Sequence, residues 1–245
     1  MNNKLNLHTQ CAALGLAALA LSVSHAHGQS FVLKEFSNLT LAIPDGDPFG
    51  LSQNTDIALP AGAHEIVGIQ LTLDIAGGFN GDLYASLTHG NGFAVLLNRA
   101  GRDGANALGY DDAGFQITLA DGAGNSDVHV YRDVVGGSLG GAALTGTWAP
   151  DGRAVDPAQV DVGDARTATF ASFDGLDPSG RWTLYLLDGE AGDEAELRGW
   201  SLRVTYAAVP EAGAMVGWGA VGLVGFGVWR GWRRRAGRSF RNVEA

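Results

Sequence analysis

Cysteine is nearly absent from this chain. The single one, Cys11, lies in a leader-like stretch that export would remove, so the mature chain has neither a disulfide nor thiol chemistry. Basic residues are almost as scarce in the body. Between His27 and Pro210 there are 9 Lys plus Arg against 24 Asp plus Glu, a net charge of −15 where the whole chain carries −10. A surface this acidic repels phosphate backbones, which excludes nucleic acid as a partner. The body also lacks a long amphipathic helix, a βαβ alternation and an internal repeat, which excludes helical bundles, doubly wound folds and solenoids.

The acid is mostly Asp, set among Gly, Asn and Ser in turns. Such residues either keep a surface soluble or supply oxygen ligands to calcium.

The two ends differ from the body. Lys4 gives a positive start, Cys11 to Val23 is an uncharged apolar run of 13 residues, and Ser24-His25-Ala26 places small residues where a signal peptidase cuts. Cleavage is expected after Ala26, or failing that after Gly28. The run is too short to be a membrane span. At the other end, Ala212 to Trp229 is 18 residues without a charge. As a helix it would reach about 27 Å, nearly the depth of a bilayer core. Its glycines are better tolerated in lipid than in water, and Trp218, Trp229 and Trp232 suit the interfaces. Arg230, Arg233, Arg234 and Arg235 follow, with Arg238 and Arg241 beyond, and this cluster holds the C-terminal end on the cytoplasmic side.

Val209-Pro210-Glu211-Ala212 precedes that segment. The order of Pro-Glu step, apolar helix and Arg cluster resembles the PEP-CTERM sorting signal of Gram-negative bacteria, over roughly residues 209 to 238. The resemblance implies transient membrane retention, cleavage near Pro210, Glu211 and Ala212 by an exosortase-like enzyme, and passage to the cell surface or extracellular matrix. Ala212 stands where the family has its second Pro. A permanent C-terminal anchor is the alternative.

In the body, β-favouring runs occur at residues 39–43, 56–59, 65–75, 83–88, 93–98, 115–119, 128–131, 181–187 and 201–206, separated by Gly, Asp, Asn and Pro clusters. Within Ile66 to Ile75 the odd positions are all apolar, so the pattern predicts one buried and one solvated face. Trp182, Leu184 and Leu186 alternate in the same way with Thr183 and Tyr185. The expected fold is all-β, an antiparallel sandwich or jelly roll, flanked by the signal peptide and the C-terminal transmembrane helix. The expected layout is a signal peptide over 1–26, a β domain over 30–208, a sorting segment over 209–238 with its helix at 212–229, and a cytoplasmic end over 239–245. Gly136 to Gly141 is expected to be the loosest loop.

Several segments follow a recognisable order. Ile43-Pro44-Asp45 opens the domain, and Val67 to Leu73 leads into Gly81-Asp82-Leu83. Leu96 to Arg99 and Tyr110-Asp111-Asp112 come next. Gly180-Arg181-Trp182-Thr183-Leu184, with Asp188, Gly192-Asp193, Leu197 and Trp200-Ser201-Leu202, closes the domain. This resembles the P domain of the proprotein convertases, a β jelly roll that accompanies subtilisin-like proteases and also occurs alone in bacterial surface proteins. Leu87-Thr88-His89-Gly90 departs from the family, which more often has a Ser-Pro pair before its Gly. The late tryptophans, Trp182 and Trp200, are expected in the core. Among the acids, Asp82 in the Gly-Asp-Leu step and Asp188 with Asp193 in the closing acidic turn are the candidate ligands for a calcium ion acting as a structural clip, and the resemblance supports this, since P domains do bind calcium.

Other chemistry is poorly supported. Gly136 to Gly140 matches G-x-S-x-G, but no His follows Ser138, as the hydrolase elbow requires. His64, His89 and His129 lack the spacing of a helical zinc site and read as ordinary surface or strand histidines. Paired carboxylates could serve a glycosidase, but only at separations that a sequence does not supply. The chain therefore reads as a non-enzyme: an exported cell-surface or extracellular-matrix protein that displays a P-like module and contacts polysaccharide or another surface protein. The alternative is an accessory domain that stabilises or recruits a separate subtilisin-like protease. Signal peptidase and an exosortase-like enzyme are the implied processing partners.

Overall fold

A computed structural model of the chain describes residues 28–124 and 126–209. Ala26, Pro210, Glu211, Ala212, the segment 212–229 and the Arg cluster lie outside the described residues. Among those described, no helix is long and apolar enough to cross a membrane.

Ten strands carry the fold: β1 Ser30–Phe36, β2 Leu41–Ile43, β3 Leu51–Ile57, β4 His64–Gly77, β5 Leu83–His89, β6 Gly92–Asn98, β7 Phe115–Ala120, β8 Leu144–Trp148, β9 Gly180–Asp188 and β10 Ala195–Ala208. They form two sheets. One has the order β1-β10-β4-β7-β8, with β2 also pairing β10; the other runs β3-β9-β5-β6. One hydrophobic cluster takes residues from both, so the sheets share a core. Leu71 and Leu73 of β4 and Leu202 and Val204 of β10 enter it from the first sheet. Trp182, Leu184 and Leu186 of β9 enter it from the second, in the alternation that the sequence predicts.

All pairings between these ten strands are antiparallel except one. β7 and β8 run parallel, with Phe115 opposite Leu144. This departs from a purely antiparallel expectation because 23 intervening residues, Asp121 to Ala143, bring the chain back to the same end of the sheet before β8 begins. The run 128–131 is likewise not a strand. It is a 3₁₀ turn, Val128–Val130, that continues as a short helix α1, Tyr131–Val135. Asp127 caps the turn by accepting the His129 N–H, and a local capping bond of this kind offers the backbone an alternative to a sheet ladder.

The odd-position rule in β4 holds from Ile69 to Ile75 and fails at its start. Ile66 is buried while Val67 is 39% exposed. The cause is a bulge: Thr205 pairs with Gly68 and Tyr206 with Ile66, so Val67 is the extra residue and the facing parity flips. Trp182 and Trp200 are both buried, as expected. Trp182 stacks on His89 with centroids 4.1 Å apart, and Trp200 on Phe36 at 4.8 Å.

Gly81 is the tightest point of the turn between β4 and β5. A Cβ there would lie 2.1 Å from Leu108 O and 2.8 Å from Gly109 Cα, both backbone atoms that cannot swing away. Gly81→Ala is expected to destabilise the domain by about 2 kcal/mol, the range of overpacking. In a domain of this size that lowers the melting midpoint by about 4–8 °C. Circular dichroism melting checks it.

Candidate functional site

The sheets bring most of the sequence-level candidates to one end of the molecule. β9 ends at Asp188, whose register partner is Leu83, the residue after Asp82. Gly189 N–H donates to Asp82 O at 3.0 Å. On the other side Asp45 forms a parallel bridge with Asp188, and Gly46 N–H donates to Asp188 O. The turn from Gly189 to Glu194 carries Glu190 and Asp193 and is fastened where Gly192 N–H donates to both Asp45 oxygens, at 3.2 and 3.1 Å.

The electrostatics of this end are unfavourable as it stands. Asp188 is 0% exposed, and neither of its carboxylate oxygens has a hydrogen-bond partner. Burial first, and then the charges of Asp45, Asp82 and Asp193, push its carboxyl up to about 7. Burial also pushes Asp82 up to about 6, against the pull of Arg99 and with the help of Glu190 and Asp193. Arg99 is the one positive group in contact. Its Nε donates to Gly81 O at 2.8 Å, and its Nη atoms reach Glu190 at 3.1 Å and Asp82 at 3.4 Å. It holds a positive φ of 49° to do so. No contact joins Arg99 to Asp188. Among the described residues no three His, Cys, Asp or Glu side chains already converge as a metal-ligand set. A cation here would gather oxygens around Asp188 from a turn that is only partly closed upon it.

Two further polar clusters draw most of their partners from within the fold, the second leaving Arg153 Nε without one. Asp112 accepts from Tyr131 Oη, Arg132 Nε, Ser138 Oγ and the Leu139 N–H. Burial would raise its carboxyl, but these bonds outweigh that and hold it below the usual range. Asp111 adds an ion pair to Arg132. Ser138, the centre of the G-x-S-x-G match, thus fastens its loop to Asp112, and Gly136 is the left-handed cap of α1.

The second cluster surrounds His129. The ring is buried, against the sequence reading of a surface or strand residue, because the 3₁₀ turn directs it inward. Nδ1 faces Asn98 O at 3.1 Å and Asp151 Oδ2 at 2.8 Å, and Nε2 faces Arg102 O at 2.9 Å. Only oxygens surround both nitrogens, an arrangement that favours the imidazolium, in which both nitrogens donate. Burial alone would lower its pKa, but the bond to Asp151 and that carboxylate's charge raise it. Arg153 closes the cluster by bridging Asp151 and Asp127. His89 is also buried: its nitrogens face Arg181 O at 2.9 Å and Asp177 O at 2.7 Å. His64 meets the Tyr206 ring edge-on.

Sequence reasoning proposed Asp82, Asp188 and Asp193 and passed over Asp45 as a member of this group. Asp45 lies far away along the chain, and only the Asp45–Asp188 bridge makes them neighbours.

No family model matches the chain, and no curated protein matches it. Solved structures similar to it include two from Aeromonas sobria. The serine protease of Aeromonas sobria is 14% identical with a TM-score of 0.40, over 73% of this chain and 27% of that one. The complex of the Aeromonas sobria serine protease with its chaperone is 15% identical with a TM-score of 0.39, over 74% of this chain and 28% of that one. The matched part thus spans under a third of either chain's length.

A raised histidine pKa stabilises the fold below the unfolded value of about 6.5, and this contribution is lost as pH rises through the folded value. Asp188, pushed up to about 7, completes its ionisation about one pH unit higher, so a decline beyond that point which His129→Gln does not share reports His129. The wild-type melting midpoint is expected to fall more steeply there than that of His129→Gln. At pH 6 the variant should be less stable by about 3 kcal/mol, because Asp151 loses a buried partner. Calorimetry across the alkaline range checks it, and parallel slopes would rule out the imidazolium.

Proposed function

We propose that this chain is an exported, non-enzymatic β module of the P type that works by contact with another protein, with calcium clipping its acidic end. Its carrying observation is the orphaned carboxylate of Asp188, buried among Asp45, Asp82 and Asp193. A buried charge without a partner costs several kcal/mol, and a divalent cation removes that cost. Calcium fits the chemistry of the donors, all hard oxygens, and tolerates irregular geometry. Asp188, Asp82, Asp45 and Asp193 would hold it, and its role is to tie the turn after β9 to the start of β5. The Gly81-Asp82-Leu83 step meets the far end of the strand that the Gly-x-Trp-x-Leu motif opens, Leu83 opposite Asp188, about a hundred residues away in the chain, which supports a P-type jelly roll.

The reading without catalysis rests on how the reactive side chains are used. Ser138 donates to Asp112, and both ring nitrogens of His89 and His129 are taken by oxygens within the fold. A P-type module of this kind would serve as an accessory that stabilises or recruits a separately encoded subtilisin-like protease. A second reading is display at the cell surface or in the extracellular matrix, and the order of Pro210-Glu211, the uncharged segment and the Arg cluster favours it. Capture of the exported protein, followed by labelling of active serine hydrolases, tests the first: a bound subtilisin-like protease is expected, and its absence would remove that role. Mass spectrometry of the mature C terminus tests the second. An end near Glu211 supports sorting and release; an intact Arg-rich tail in the inner membrane means a permanent anchor.

Calcium is expected to raise the melting midpoint over EGTA. At a hundredfold excess over the dissociation constant the gain is about 2.7 kcal/mol, or about 5–10 °C. The gain should grow as pH rises through about 7, where Asp188 loses its proton and becomes a ligand. Asp188→Asn should abolish the response and, in EGTA at pH 8, melt above the wild type because the orphaned charge is gone. Equal wild-type midpoints with and without calcium would overturn the clip.

A further inference from the structure

The outer face of the first sheet is bare at the end where the chain leaves it. Phe31 and Leu33 of β1 stand opposite Thr205 and Arg203 of β10, and both are exposed, whereas Val32 between them stands opposite Val204 and packs on the core. Thr205 lies in turn opposite Gly68, next to the bulged and exposed Val67. A Cβ at Gly68 would meet no atom within 4 Å, so among the described residues nothing covers the strip of sheet between Phe31 and Val67. Two strand spacings, about 10 Å, lie between Phe31 and Gly68. Apolar side chains grouped around uncovered backbone mark a contact surface.

Charge singles out the same end. Of the nine basic residues of the body, six pair with carboxylates: Arg99, Arg132, Arg153, Arg166, Arg181 and Arg198. Arg102 is held by the Val160 and Ala158 carbonyls. Lys34 and Arg203 are left, and among the described residues neither pairs with a carboxylate. The Arg203 guanidinium lies over the Phe31 ring, 3.9 Å from its centre, and so belongs to the outer face. Lys34, opposite Leu202, sits on the inward side of the open edge of β1, where a charge blunts the addition of a further strand. On these strands Lys34 and Arg203 balance Glu35 and Glu65, while the far end sets Asp45, Asp82, Asp188 and Asp193 near Arg99 alone. An anionic surface would therefore meet this end and repel the other.

The chain that continues here indicates what covers the face. The uncharged stretch 212–229 starts three residues beyond Val209, a reach of about 10 Å when extended. With that stretch in a bilayer, this end of the body lies at the headgroups. A second copy would instead bring a second net charge of −15 against the first. We propose that this corner, formed by Phe31, Leu33, Val67 and Arg203, rests on the surface of an anionic phospholipid bilayer, its apolar side chains at the acyl boundary and its guanidinium on a phosphate. The contact rests on the reading of 212–229 as a membrane segment and is independent of the calcium clip.

The test uses the full chain after signal removal, reconstituted in vesicles of phosphatidylethanolamine and phosphatidylglycerol that carry a nitroxide-labelled lipid. Cys11 leaves with the signal peptide, so Gly68→Cys and Thr88→Cys each accept a single fluorophore. Thr88 is exposed on the outer face of the second sheet, one residue from the end of β5. Quenching is expected at position 68 and not at 88. Arg203→Gln should lower the ratio of docked to free body about fivefold, the worth of one basic residue at an anionic surface, and Leu33→Asp should abolish the quenching. Equal quenching at both positions would mean a body that only swings on its tether, and would overturn the proposal. So would quenching undiminished in Leu33→Asp, or none at 68 in a chain that floats with the vesicles. In that last case a blue-shifted emission that fades on dilution would place a second copy on the face. A chain that does not float overturns the membrane reading, and the contact with it.

Discussion

The pairing of β10 with β4 is the constraint on which the rest of the molecule depends. Each strand spans 14 residues, and their antiparallel ladder runs from Ala195 opposite Gly77 to Ala208 opposite His64. β10 also carries β1 and β2 on its other edge, so it is flanked on both sides along nearly its whole length. Leu71, Leu73, Leu202 and Val204 anchor that ladder in the core, and a one-residue slip would turn all of them outward. The ladder tolerates two irregularities, one at Arg198 and one at Val67. The first leaves Arg198 unpaired in the ladder, and the second exposes an apolar side chain near the strand ends.

Much of this was legible in the sequence where burial follows a strict period. β9 alternates from Trp182 to Leu186, and most of β4 does the same, because each has one face in the core and one face outward. The strands that escaped detection are those whose pattern is weak for a physical reason. β1 is an edge strand: Phe31 is 53% exposed, its ring covered by the Arg203 guanidinium at 3.9 Å, and Leu33 is exposed beside it. β8 buries only its two ends, Leu144 and Trp148, with Gly146 between them. The bulge at Val67 was invisible for a different reason. It depends on the register between two strands more than a hundred residues apart, and no local window contains it.

The acidic end shows the same division. The turn holding Asp188 and Asp193 is short enough to read as a cluster, and Asp82 stood out through its Gly-Asp-Leu step. What spacing does not reveal is that Asp188 alone is sealed without a partner. Arg99 spends its donors on Gly81, Asp82 and Glu190, while Asp112, close in composition to Asp188, is enclosed by four donors. One buried aspartate is therefore a fastening and the other a cost. Only the first kind is complete with the chain's own atoms. The same contrast separates Trp182, whose indole reaches Pro178 O, from Trp200, whose indole reaches nothing within the protein.

The direction of β10 ties these features to the address of the molecule. Ser30 lies opposite Tyr206, so β1 begins at the end of the sheet where β10 finishes, and the two ends of the described chain emerge together. Asp188 and the turn leading into Ala195 lie at the other end. At about 3.3 Å per residue, the 14 residues of β10 separate them by about 45 Å. A tether attached beyond Val209 would hold the body by its Ser30 and Ala208 end and carry the acidic end outward, away from a bilayer. What joins the two ends is a long strand paired on both sides along nearly its whole length.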